Sequence, residues 1–126
     1  MKITILGNPI TKKNHQQIVK LGDRHSLVQS KQYRQYEQDC LWQIPGSKRI
    51  LISEPVNVKC VYYMQTRRRV DLVNLLEATN DILVTAGVLD DDNSKIVVSH
   101  DGSKVMYDKA NPRVDIEITR IMNQEV

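Results

Sequence analysis

The stretch Arg67-Arg68-Arg69-Val70-Asp71-Leu72-Val73-Asn74-Leu75 sets three guanidiniums beside one carboxylate. A guanidinium is planar and always charged, so each arginine is a candidate for bidentate contact with a phosphate. Carboxylate oxygen suits a hard divalent cation, and Asp71 is a candidate ligand. A second acidic place, Asp90-Asp91-Asp92, follows further along the chain. Three consecutive carboxylates repel one another, and a bound cation relieves that repulsion. A plainer reading stands beside each of these. Asp71 directly precedes a helical pattern, where Asp is a preferred N-cap and suits the positive end of the helix dipole. Asp90 to Asp92 also read as a solvated acidic turn. The arginines also read as the solvated end of a strand, where alternation would point Arg67 and Arg69 one way and Arg68 the other. Lys12 and Lys13 carry the same double reading as the arginines.

The charge distribution sharpens this picture. Residues 1–70 carry 13 Lys and Arg against 4 Asp and Glu, a net of +9, while residues 71–126 carry 5 against 11, a net of −6. A basic half attracts phosphates and an acidic half can hold a divalent cation. Nucleases need both. Simple pairing of the two signs across the fold would produce the same totals. Other chemistries leave no trace: the chain has no P-loop, dinucleotide fingerprint or GxSxG elbow. His15, His25 and His100 have no metal-ligand spacing and read as surface or loop residues. Cys40 and Cys60 form neither a metal-type spacing nor a disulfide framework, and read as reduced thiols in or near the core. No apolar run approaches the roughly 20 residues needed to cross a bilayer, and the N-terminal apolar run is too short for a signal peptide. A cytoplasmic protein is expected. With 126 residues the expectation is one domain over 1–126, its core built from Leu, Ile and Val because Phe is absent and Trp occurs once.

The elements that must position these residues follow from periodicity. Lys2 to Leu6 is a first strand, ended by Gly7-Asn8-Pro9. Residues 18–28 fit a hairpin around Gly22-Asp23. Ser30 is the expected N-cap of a helix running to about Ile44, with Tyr33, Tyr36, Cys40, Leu41 and Ile44 on its apolar face. Val56 to Met64 alternates as a strand. Residues 72–86 form the clearest helix, with Leu72, Leu75, Leu76, Thr79, Leu83 and Ala86 as its stripe and Gly87 as its C′ residue. Two short strands joined in hairpin fashion near Asp101-Gly102 come next. The last strand carries Val114, Ile116 and Ile118. The expected fold is α+β, a mixed, mostly antiparallel sheet with two main helices packed on it. One consequence weighs against a shared metal. A helix of this length spans about 22 Å at 1.5 Å per residue, separating Asp71 from Asp90–Asp92. They can meet only if the chain runs back after Gly87 or a partner subunit supplies one end.

The stretch RRRVDLVNLLEATNDILVTAGVLDDDNSKIVV resembles the core motif of the RusA-type endodeoxyribonucleases, the phage and prophage Holliday-junction resolvases. That motif is a basic run, then DLDNL, a lysine within the helix, an aspartate at its later turns, then AG and a DD pair before a strand. The resemblance extends outward to GNPITKKN, SKQYRQYE and NPRVDIEI, so it covers most of the chain. It implies a RusA-like homodimer that binds four-way DNA junctions and cuts two opposed strands with Mg²⁺, for which Mn²⁺ can substitute. It carries the first motif aspartate onto Asp71 and the DD pair onto Asp91 and Asp92, with Asp92 the preferred metal ligand. Asp81 matches the in-helix aspartate, a structural position. Arg67, Arg68 and Arg69 fall on the arginine run.

Two positions depart from the motif. Its second aspartate, a metal ligand in the family, is Val73 here. Its lysine, which assists catalysis in the family, is Glu77 here. A methyl-bearing side chain cannot replace a hard oxygen ligand. Val73 and Glu77 are one helical turn apart, so Glu77 is the nearest acid able to restore charge, while the lysine has no obvious replacement. The expectation is a Mg²⁺-dependent resolvase with weakened or lost activity. The alternatives are a catalytically inactive branched-DNA-binding protein of the same fold, and a non-enzymatic domain whose charges merely pair.

Overall fold

A computed structural model describes residues 1–12, 16–21 and 24–121. Seven strands and two long helices follow in the order β1 (Lys2–Leu6), β2 (Gln16–Leu21), β3 (Arg24–Gln29), α1 (Lys31–Gln43), β4 (Val56–Met64), α2 (Leu72–Thr85), β5 (Val97–Ser99), β6 (Lys104–Tyr107) and β7 (Arg113–Arg120). Five strands form the main sheet. β7 lies between β1 and β4 and is antiparallel to both, while β5 and β6 pair parallel with the far side of β4. This is the expected α+β architecture with a mixed sheet. β2 and β3 pair antiparallel as expected, while the turn residues Gly22-Asp23 lie outside the described residues.

Period-2 alternation makes the sheet's inner face. Ile116 of β7 sits between Ile3 of β1 and Cys60 of β4, and Val114 sits between Ile5 and Tyr62. All six are nearly sealed from solvent. The outer face of the same strands is polar, with Glu117 between Lys2 and Lys59. Each buried aliphatic side chain contributes about 1.5–3 kcal/mol. α1 lays Tyr33, Tyr36 and Cys40 on this layer, and α2 adds Leu75, Ala78, Ile82 and Leu83. Both cysteines are free and buried, and burial pushes each thiol up to about 12. They are core thiols, as their sequence context suggested.

The helix ends use different devices. Ser30 caps α1, its hydroxyl accepting from the Tyr33 amide at 3.1 Å. Gln43, near the other end of α1, makes a reciprocal pair of bonds with the Leu6 backbone, at 2.7 Å and 2.9 Å, and so fixes α1 against β1. α2 is capped at Ala86 and followed by Gly87, whose φ of 79° is the left-handed geometry that glycine takes without strain.

The strands around Asp101-Gly102 do not form the expected hairpin. β5 and β6 never pair with each other; both run parallel along the same edge of β4, at Val56–Asn57 and Val61–Met64. The intervening residues bulge outward and are held by side chains instead of a ladder. Asn57 Oδ1 accepts from Ser99 Oγ and the Asp101 amide, Asn57 Nδ2 donates to the Asp101 carbonyl, and Ser103 Oγ accepts from the Cys60 amide. His100 lies in the loop between β5 and β6, in line with its reading as a surface or loop residue; it is half-buried, bonded through Nδ1 to the Val58 carbonyl and through Nε2 to Asn80 of α2. Replacing Asn57 removes three bonds that no ladder can supply. Asn57→Ala is therefore expected to cost about 1–3 kcal/mol in urea unfolding, and a cost below about 0.5 kcal/mol would mean that the bulge holds without it.

Candidate functional site

α2 positions the chemistry. Its buried residues Leu75, Ala78, Thr79, Ile82 and Leu83 form one arc against the sheet. The helix rotation is locked by the Tyr62 hydroxyl, 2.7 Å from Thr79 Oγ1, with Thr79 also donating to the Leu75 carbonyl at 3.0 Å. The 3.6-residue period then forces Val73, Glu77 and Asp81 onto the opposite arc. Val73 is 73% exposed, an apolar side chain standing in water on a face of polar neighbours.

Asp71 occupies the N-cap position with extended backbone, yet its carboxylate makes no capping bond. It accepts instead from the Asn74 side chain, at 3.2 Å. The capping reading of Asp71 is therefore corrected: the residue holds the cap position with its backbone, while its carboxylate stays exposed and bonds the Asn74 side chain. β4 ends at Met64, so Arg67, Arg68 and Arg69 lie in the loop before α2 and not on a strand. All three are exposed, and they do not alternate. Arg67 stacks on Tyr107 of β6, 4.1 Å from the ring centroid, while Arg68 and Arg69 line a cavity with the segment after β1. None forms a salt bridge with a described residue.

The later acids are sorted by their own turn. Asp91 is tied down: its two oxygens accept from the Asp92 amide at 2.8 Å and from Asn93 Nδ2 at 2.9 Å. The bond from Asn93, then that from the Asp92 amide, hold its carboxyl below the usual range. Asp92 moves the other way. Partial burial raises its carboxyl, and the negative charges of Asp81 and Asp91 add to the effect. Asp90 stays exposed, its amide bonded to the Ile52 carbonyl at 2.9 Å.

After Gly87 the chain brings Asp92 within range of the charge on Asp81. Asp81 and Asp92 sense each other's charge, and Asp81 is ion-paired with Lys12. Asp71 stands ten residues up the helix from Asp81, about 15 Å at 1.5 Å per residue. Asp71, Asp91 and Asp92 are thus not gathered into one cluster. Among the described residues no three His, Cys, Asp or Glu side chains stand together in a metal-holding group. The donor chemistry is nonetheless right for a hard divalent cation: every available ligand is oxygen, and Asp92 carries a repulsion that a cation would relieve. Lys12, expected among the polyanion contacts, has its ammonium committed to Asp81. Lys13 and His15 lie outside the described residues, and His25 lies on β3.

Two neighbours had no signal in the sequence. Lys12 reaches Asp81 across 69 residues of chain. The Tyr33 hydroxyl of α1 is buried without a hydrogen-bond partner in the described structure. Burial raises its pKa, with Glu37, Asp81 and Glu77 contributing negative charge.

The domain is α+β, with Asp71, Glu77 and Asp81 along one helix and, just before its start, three guanidiniums that form no salt bridge with a described residue. The family model of endodeoxyribonuclease RusA matches residues 7–119. The chain belongs to that family, whose members are endonucleases acting on Holliday junctions. No curated protein matches the chain. No described helix is long and apolar enough to cross a membrane.

Three variants test these assignments in the absence of DNA. Asp92 has a raised carboxyl, so its contribution to stability is present below its ordinary pKa of 3.8 and is lost as pH rises through the folded value. Asp92→Asn is therefore expected to raise Tm at neutral pH, with the gain fading in acid. An equal gain at both pH values would show that charge is not the cause. Ser30→Ala should cost about 1 kcal/mol, and Asp71→Ala clearly less, because only the Ser30 side chain makes a capping bond. Equal losses would restore capping to Asp71.

Proposed function

We propose that this protein is a four-way-junction endodeoxyribonuclease of DNA recombination and repair, working as a cytoplasmic homodimer, whose cutting is weakened by Val73 and Glu77. The observation that carries the reading is the start of α2. There an Asp71 carboxylate that makes no capping bond stands near three exposed arginines that form no salt bridge with a described residue, and next to the exposed Val73.

In this reading Arg67, Arg68 and Arg69 grip phosphates, assisted by Lys13, and hold the DNA backbone against the start of α2. Lys12 keeps Asp81 neutralised and so spares the approaching phosphate one repulsion. Asp71 and Asp92, with Asp91 as the more weakly offered third acid, are the candidate ligands for Mg²⁺ or Mn²⁺, and since one subunit does not bring Asp71 to the other two, sharing an ion would require the partner subunit to supply one end. The bound cation would activate water and stabilise charge on the phosphate and leaving oxygen. In a homodimer each junction arm pair meets one copy of this edge, as a two-fold junction requires. Asp91 serves chiefly to shape the turn that presents Asp92. Glu77, one turn from Val73, returns some negative charge to the face but no ammonium.

A second reading, a branched-DNA-binding protein that does not cut, is favoured by the same Val73. A hard ligand has been replaced by a side chain with no oxygen. Cleavage of a labelled four-way junction in Mg²⁺ and in Mn²⁺ separates the two. Val73→Asp is expected to cut at least about tenfold faster than the unaltered chain, a gain of about 1.4 kcal/mol in transition-state stabilisation. Equal rates would show that Val73 does not limit the site; no cutting by the unaltered chain alongside restored cutting by Val73→Asp would select the binding-only reading. Binding should also weaken steeply with salt, and Arg69→Ala should lower the slope of log affinity against log salt by about 1. An unchanged slope would remove Arg69 from the phosphate contacts.

A further inference from the structure

Arg68 and Arg69 do more than mark a charged lip. They line an open cavity of about 460 Å³ between the exit of β1, the first turn of α1 and the loop leading into α2. Its apolar side includes Ile10, Met64 and Val70, and the Gln32 side chain contributes an amide from α1. We infer that this cavity receives one unstacked nucleotide of the bound DNA, its base inside and its phosphate on the arginines. The inference rests on the junction-binding reading and goes beyond it by naming what enters the cavity.

The lining argues for a base. A phosphate asks only for charge and N–H donors, and would leave the apolar side of the cavity bare. A base has an apolar π-face, which packs on side chains such as Met64 and Ile10 or under a guanidinium. It also has a hydrogen-bonding edge, which a carboxamide such as Gln32 can read as donor and acceptor together. The volume falls within the usual 300–1,000 Å³ of small-molecule sites. Unstacking a base costs a few kcal/mol, and it is cheapest where stacking is already interrupted. The crossover of a four-way junction is such a place.

The cavity's position gives it a consequence. Val70 belongs to its wall and directly precedes Asp71. A base seated there sets the register of the DNA backbone against the start of α2. The cavity would then decide which nucleotide sequence at the crossover is aligned for cutting.

The test uses four-way junctions with 2-aminopurine placed in turn at each nucleotide flanking the crossover, without divalent metal. Protein is added to a concentration at which a gel shift of the same sample is complete. At one position the fluorescence is expected to rise about twofold or more, as an unstacked base does. In Gln32→Leu, an exposed position on α1 whose substitution keeps volume and removes the amide, at least half of that rise should be lost at full gel shift. A complete shift with no position brightening would overturn the inference and leave junction binding standing. A rise that falls by less than half in Gln32→Leu would also overturn it, because the base would then be unstacked elsewhere. No gel shift at any concentration would instead remove the junction-binding reading, and this inference with it.

Discussion

The hydroxyl contact between Tyr62 and Thr79 fixes helix α2 on the sheet, and the candidate site depends on that angle. Tyr62 is almost wholly buried, and its partner is buried as well, so neither can turn to water for a substitute. A shift of one residue would rotate the helix by about 100°, carrying a charged residue of the acidic arc toward the core. The core therefore enforces the outward placement of Val73, Glu77 and Asp81. The same constraint sets the start of α2 beside the loop of arginines and brings its later turns close to Asp92. Packing and function are coupled here through one rigid element.

The fold was largely written in local pattern. Ser30, the alternation of Val56 to Met64 and the stripe of residues 72–86 each gave the correct element, because burial on one face leaves a period in the sequence. The hairpin at Asp101-Gly102 failed for a physical reason. A turn signal between two short β-rich runs says that the chain bends, but not which strand the runs will pair with. That choice was made by β4, which offers a free edge and the Asn57 side chain to hold the bulge. The bonds that hold His100 in its loop were hidden for the same reason, since its partners Val58 and Asn80 are distant in sequence.

The site was legible as residue types and less so as geometry. Asp71 looked like a cap because the position is a cap; only the folded structure separates the backbone role from the carboxylate, which bonds Asn74 instead. Asp91 and Asp92 are indistinguishable as letters, yet one is tied into its turn while the other is held near Asp81 with a raised pKa. Lys12 and Asp81 gave no hint of each other. Val73 was visible from the motif it interrupts, and its exposure explains why folding tolerates it. A substitution on a solvated helix face changes stability by a few tenths of a kcal/mol, so any penalty falls on function and not on the fold.

The most direct test of this account is binding of the unaltered chain to a four-way junction, set against a linear duplex of the same sequence, at physiological salt and without divalent metal. The expected result is a complete gel shift of the junction at protein concentrations that leave the duplex free. Equal affinity for the two, or no shift of either, would contradict it.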